Sequence, residues 1–243
     1  MICERLMSKH IGIVACSAEG AALCYRTICV EGAALMGRHA HPEVSMHTHP
    51  LSRYMECIYR DDWQGVAGLM LSSAEKLAAV GAEILICPDN TIHRAFDQVA
   101  SRSPVPWLHI AEQVALEARR MGYRRLGILG TRYLMESEVY PARLASRGVE
   151  WRIPKEPERE RINQIIFDEL VYARFTPDSL SYFQQVIEGL KRREACEAVV
   201  LGCTEIPLLV TPESSPLPTL DSTRLLARAA LVHAVGTQQA AAF

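Results

Sequence analysis

The chain of 243 residues carries 26 basic and 28 acidic side chains, a net charge of −2, with 49% hydrophobic and 22% charged residues. That length can bury a sizeable core in one or two domains, and a near-neutral chain without a basic block lacks the electrostatic footprint of nucleic-acid binding. No apolar run approaches the roughly 20 residues that span a bilayer, and the eight cysteines include no Cys-x-x-Cys pair to signal a zinc knuckle or a thioredoxin motif. Met1 to Lys9 mixes Cys, Glu, Arg and Lys, which is no signal-peptide core. The expectation is a cytoplasmic protein with reduced thiols and no membrane segment.

In chain order, His10 to Ala15 reads as a buried strand that enters the small-residue loop Cys16-Ser17-Ala18-Glu19-Gly20. Leu23, Thr27, Ile28, Val30 and Leu35 are spaced for one helix face. Residues 39–53 read as irregular; they hold His39, His41, His47 and His49, best taken as a solvated loop, and then Pro50 and Arg53. Asp61 or Asp62 can cap a helix with the inner face Trp63, Val66, Met70, Leu77 and Val80, ended by Gly81. The strand Ile84 to Ile86 then leads to Cys87-Pro88-Asp89-Asn90-Thr91.

After Pro104 and Pro106 the pattern restarts. A helix from Ala111 to Met121 precedes the strand Leu126 to Leu129, and a helix ending near Gly148 precedes the strand Val149 to Ile153. A helical segment holds Ile162, Ile165, Ile166, Leu170 and Val171. Thr176-Pro177 is a cap with proline at the first helical position, opening a helix to about Arg193. The strand Ala198 to Leu201 leads to Gly202-Cys203-Thr204-Glu205-Ile206-Pro207, and Asp221 can cap the last helix.

Alternating strands and helices predict parallel sheets. Gly12 and Gly127 sit in matching strands 115 residues apart, and Asp89 and Cys203, each just past a strand, are 114 apart. The fold class expected is therefore α/β, with two similar parallel-sheet domains related by a pseudo-dyad. Residues 1–105 with 215–243 would form the first and 106–214 the second. Ligands of open α/β sheets lie beyond the carboxyl ends of strands, so Asp89 and Cys203 are expected on opposite sides of one cleft between the domains.

Gly202-Cys203-Thr204-Glu205-Ile206-Pro207-Leu208-Leu209 resembles the second signature of the aspartate/glutamate racemase family, and Asn90-Thr91-Ile92-His93 is similar to its first. Leu126 to Thr131, Ile165 to Leu170 and Asp221-Ser222-Thr223 extend the likeness along most of the chain. The resemblance implies an isomerase without pyridoxal phosphate, metal or other cofactor, with one acid/base per domain flanking the substrate α-carbon. It implies Cys203 as the second acid/base, and Asn90, Thr91 and Thr204 as ligands of the α-carboxylate. Arg53 and Arg174 would be cations for the side-chain carboxylate, and Ser17 would lie against substrate. It further implies a small amino acid or dicarboxylate as substrate, aspartate or glutamate first, and a homodimer.

The chain departs from the family pattern where a cysteine usually precedes Asn-Thr: here stands Asp89, with Cys87 two residues earlier. Free thiol and carboxyl groups differ enough in pKa to weaken the base by about 6 kcal/mol, part of which burial can restore. Three readings follow. Asp89 and Cys203 form a mixed acid/base pair. Cys203 alone protonates one face, as in a decarboxylase or isomerase of a small dicarboxylate. Or the protein binds a small carboxylate without turning it over. For Asp89 a helix cap is an equal use. His93 could tune Asp89 or serve structure, and Glu205 could orient its loop or touch substrate. Cys24, Cys29, Cys57, Cys87 and Cys196 read as core.

Overall fold

The computed structural model describes residues 8–236. Contacts divide the chain into one unit of Met1–Pro88, Ala95–His109 and Leu226–Phe243, and a second of Asp89–Arg94 and Ile110–Leu225. The amino-terminal segment read above for its charges lies, up to residue 7, outside the described residues. Among those described, no helix is long and apolar enough to cross a membrane.

The first unit contains β1 (Ile11–Ala15), α1 (Ala18–Met36), β2 (Val44–Thr48), α2 (Leu51–Tyr59), α3 (Trp63–Ala79), β3 (Ile84–Ile86), α4 (Phe96–Ala100) and β4 (Trp107–Leu108). Its sheet is parallel throughout, in the order β2-β1-β3-β4. β1 and β3 are central and buried at every position. Their apolar runs without alternation are what a doubly covered parallel strand requires.

Residues 39–53 are not wholly irregular. Val44 to Thr48 pairs with β1 from Ile11↔Val44 to Ala15↔Thr48. As an edge strand it leaves Met46 and Thr48 exposed, so Val-Ser-Met-His-Thr carries little strand signal of its own. His47 and His49 correct the loop reading. The His47 Nδ1 is 2.9 Å from Ser73 Oγ and the His49 Nε2 is 3.3 Å from Ser72 Oγ, both on α3. His39 and His41 stay in the loop between α1 and β2. Among the described residues no group of three His, Cys, Asp or Glu side chains could hold a metal ion. Val30 and Val80, expected on inner helix faces, are exposed at 65% and 60%.

The second unit contains α5 (Ile110–Arg120), β5 (Arg125–Leu129), α6 (Arg132–Met135), α7 (Val139–Ala145), β6 (Glu150–Arg152), α8 (Glu156–Asp168), α9 (Pro177–Glu194), β7 (Ala198–Leu201), α10 (Ile206–Leu209) and β8 (Thr219–Asp221). A last helix, α11 (Ser222–Val235), begins here and continues into the first unit. Its sheet is parallel in the order β6-β5-β7-β8, the same strand order as the first. Because β8 pairs with β7, the chain up to Leu225 groups with this unit.

β7 shows why helices cover both faces of this sheet. Val199 and Leu201 join Ile165 of α8 and Phe183 and Ile187 of α9, while Ala198 and Val200 join Val114 of α5 and Leu144 of α7. Side chains two apart share a face, so Cys203 continues the Val199–Leu201 side and packs in the α8/α9 cluster. α9 is capped as expected, Ser179 N donating to Thr176 Oγ1 at 3.1 Å. Its buried Phe183, Ile187 and Leu190 contribute about 1.5–3 kcal/mol each. The two glycines of the repeat make room for neighbouring side chains, Leu85 of the adjacent strand β3 and Leu190 of α9. A Cβ on Gly12 would lie 2.4 Å from Leu85 Cδ2, and one on Gly127 would lie 2.8 Å from Leu190 Cδ1.

Candidate active site

The end of β7 presents Cys203. Gly202 N donates to Leu129 O at 2.7 Å, which draws the turn after β7 against the end of β5. The Cys203 Sγ then points at Glu205, donating to its Oε2 at 2.9 Å. Both residues are buried, with exposures of 8% and 3%. Burial pushes the Cys203 thiol well above its ordinary range. The Glu205 carboxylate pushes it the same way through charge and hydrogen bond, as does the charge of Asp89. The Glu205 backbone N–H opposes them by favouring the thiolate. The sulfur therefore carries a proton at neutral pH, and its S–H is held by the Glu205 carboxylate.

The first loop lies in the same unit, since residues 89–94 group with 110–225. Asp89 is half-buried, and its Oδ1 accepts from Ile92 N at 3.2 Å, capping the 3₁₀ turn Thr91–Ala95. Its charge is felt at Cys203. Asn90 is buried and held on both sides. Its Oδ1 accepts from the Tyr140 hydroxyl at 2.7 Å, and its Nδ2 donates to Ser222 Oγ at 2.9 Å. Ser222 Oγ in turn donates to Leu201 O at 2.9 Å. The Thr91 and Thr131 hydroxyls are 3.0 Å apart.

His93 fixes the far end of this loop. Ile110 N donates to its Nε2 at 3.3 Å, so the proton sits on Nδ1, which donates to Asp89 O at 2.7 Å. Burial lowers its pKa to about 4, against the backbone bond to Asp89, which raises it; Arg143 lowers it further. The ring is neutral at pH 7.

The structure thus brings Asp89, Asn90, Thr91, Cys203 and the buried Thr204 into one unit around the ends of β5 and β7. Arg174 belongs to the same unit but is exposed; its guanidinium donates to Asp168 O and lies over the Tyr172 ring at 5.8 Å. Ser17 and Arg53 lie in the first unit. The Ser17 Oγ accepts from Gly20 N at 3.3 Å as the cap of α1, and Arg53 is exposed in the first turn of α2. Cys87 is fully buried.

The Asp/Glu/Hydantoin racemase family model matches residues 12–230. The chain belongs to that family. Its fold is similar to that of a candidate Asp/Glu racemase from Yersinia pestis, at 30% identity and TM-score 0.85, covering 94% of this chain and 100% of the other. An aspartate racemase homologue from Pyrococcus horikoshii OT3 is 27% identical with TM-score 0.82, over 94% of this chain and 100% of that one. The broad specificity amino-acid racemase RacX of Bacillus subtilis (strain 168) is 25% identical over 161 residues, 65% of this chain and 68% of its own.

For a racemase-family protein, the residues that motif reading left out are those that hold the motifs in place. Tyr140 carries no chemistry-bearing pattern of its own, and Ser222, though inside the matching Asp221-Ser222-Thr223 stretch, was given no role by it; they lie 50 and 132 residues from Asn90. Glu205 had a signal: a lone acid between Thr204 and the apolar Ile206-Pro207-Leu208-Leu209 is a candidate buried carboxylate.

Proposed function

We propose that the protein is an amino-acid racemase that moves the α-proton of a small amino acid, acidic ones first, between Asp89 and Cys203. The supporting observation is a buried, protonated Cys203 whose sulfur bonds to Glu205 and senses the charge of Asp89. In this state the carboxylate is the base and the thiol is the acid. Asp89 takes the α-proton of one enantiomer, and the Cys203 S–H gives its proton to the other face of the carbanion. The product state, Asp89 carboxyl with Cys203 thiolate, is the state needed for the reverse direction. Resetting the pair for the same direction moves one proton from the Asp89 carboxyl to the Cys203 thiolate by exchange with solvent.

Substrate class rests on the relatives: one is a broad specificity amino-acid racemase and another an aspartate racemase homologue. Asn90 gives one Nδ2 hydrogen to Ser222 and keeps a second, so the α-carboxylate would be read by that N–H together with the hydroxyls and backbone N–H groups of Thr91 and Thr204. Arg53 and Arg174 remain the proposed cations for a side-chain carboxylate, Ser17 a proposed contact, and a homodimer the proposed assembly. The proton steps are assigned to side chains of the chain itself.

A second reading, protonation from the Cys203 side alone, draws on one observation: the Asp89 carboxylate already caps a turn through Ile92 N. The test is a panel of L- and D-amino acids followed by chiral chromatography, with wild type, Cys203→Ala and Asp89→Asn. Racemisation in both directions, lost in each variant, supports the pair. Retention of turnover in Asp89→Asn favours the one-sided reading. Saturable binding without turnover of any member favours a binder.

A further inference from the structure

We propose that Tyr140 is a positioning residue, which sets Asp89 against Cys203 through a buried hydrogen-bond chain running Tyr140–Asn90–Ser222–Leu201. The Tyr140 hydroxyl donates to Asn90 Oδ1, Asn90 Nδ2 donates to Ser222 Oγ, and Ser222 Oγ donates to Leu201 O, at 2.7, 2.9 and 2.9 Å. The chain begins on α7 and ends on the last residue of β7. Its middle member directly follows Asp89, and its last acceptor lies two residues before Cys203. The two proposed acid/base groups are thus neighbours in sequence of two points on one rigid strut.

The strut is rigid because it has no exit to water. Tyr140, Asn90 and Ser222 have exposures of 1%, 2% and 0%. Water cannot replace a lost partner there, so each bond is held against the full cost of an unpaired buried polar atom. Asn90 is fixed at both ends of its amide, which leaves its side-chain plane one orientation. The backbone of residue 89 is fixed in turn by His93 Nδ1 on its carbonyl. Position matters steeply for proton transfer: misplacement of a catalytic group by about 1 Å can cost on the order of a hundredfold. Tyr140 touches neither reacting atom in this scheme, and its effect is confined to where the Asp89 carboxylate sits.

The inference rests on the proposed pairing of Asp89 with Cys203, and its consequence is asymmetric. Deleting the Tyr140 hydroxyl loosens the Asp89 side of the strut and leaves Cys203 with its bond to Glu205. Tyr140→Phe is made in the full chain, and Ser222→Ala as a second variant that breaks the same strut from its other end. The probes are L- and D-aspartate in D2O, with α-deuterium uptake followed by NMR. In both variants, exchange of the enantiomer that presents its proton to Asp89 falls by ten- to a hundredfold, while exchange of the other falls less than about twofold. Equal losses for both enantiomers would show a general structural role and overturn the proposal.

A second measurement needs no turnover. Amide hydrogen exchange read by mass spectrometry gains in residues 89–94 of each variant, with β5 and β7 unchanged from wild type. Unchanged protection of residues 89–94 overturns the proposal as well. Wild type that exchanges neither enantiomer would sink the racemase reading for aspartate, and the amide measurement would still decide whether Tyr140 holds the loop.

Discussion

Acidification acts on His93 before it acts on the core. In the folded chain the ring is neutral, Nε2 accepting from Ile110 N and Nδ1 donating to Asp89 O. Its pKa is lowered to about 4, against about 6.5 in the unfolded chain. Between those values the unfolded state binds a proton that the folded state refuses, so stability is full above about pH 6.5 and falls as pH drops. The slope approaches 1.4 kcal/mol per pH unit, and the accumulated loss at pH 4 is roughly 3 kcal/mol from this one ring. Protonation would also set an N–H on Nε2 against the Ile110 N–H, releasing the anchor on Asp89.

The check is urea unfolding of wild type and His93→Asn at half-unit intervals from pH 7.5 to 4.5, by circular dichroism. The asparagine amide can keep the bond to Asp89 O and does not titrate. Because His47, His49 and His233 remain in both proteins, their contributions cancel in the difference. The stability gap between wild type and variant should shrink or reverse as pH falls. Parallel curves across the whole range would refute the buried-histidine reasoning.

Three further outcomes follow from the same geometry. Glu205→Gln removes the charge that helps hold the Cys203 thiol up, so iodoacetamide should alkylate Cys203 at lower pH than in wild type, read by peptide mass spectrometry; an unchanged midpoint contradicts the assigned contact. Gly202→Ala places a Cβ 2.8 Å from the Leu129 carbonyl that its own N–H bonds, and 2.7 Å from Leu134 Cδ2. That overpacking should cost about 1–3 kcal/mol in urea unfolding, and a variant as stable as wild type would remove the reason given for that glycine. Gly68→Ala, in the middle of α3 with open space around the new Cβ, should stabilise by roughly 0.5–1 kcal/mol; a loss would mean that this face of α3 is covered.

The central strands were legible because they are buried on both faces. Ile11 to Ala15, Ile84 to Ile86, Leu126 to Leu129 and Ala198 to Leu201 all announce themselves as apolar runs. Of the edge strands only β6 was, inside the expected Val149 to Ile153. Trp107–Leu108 and Thr219–Asp221 are two and three residues long and take their conformation from β3 and β7. Val44 to Thr48 is longer but has one side in water, and its His47, with His49 just past its end, looks like loop until Ser73 and Ser72 of α3 arrive to bond them. Val30 and Val80 misled in the opposite sense, since apolar spacing alone does not say where a helix loses contact with its core.

At the candidate site, Cys203 and Asp89 stood out because each follows a strand inside a recognisable motif. Of the side chains that hold them, Glu205 was weighed as orienting its loop or touching substrate, while Tyr140 and Ser222 were given no role, because these contacts exist only after folding. Glu205 reaches the sulfur through a turn of two residues, and Tyr140 and Ser222 reach Asn90 across long loops of sequence. Ser17 and Asp89 show a further limit: both act as caps in the structure, a use that the residue type permits alongside any other.

Deuterium entry at the α-carbon of each enantiomer, measured in D2O for wild type, Cys203→Ala and Asp89→Asn, bears most directly on the assignment of a carboxylate and a thiol to opposite faces of one substrate. Wild type should label both enantiomers, Cys203→Ala only one, and Asp89→Asn only the other. Labelling of both enantiomers by Asp89→Asn at the wild-type rate would contradict it.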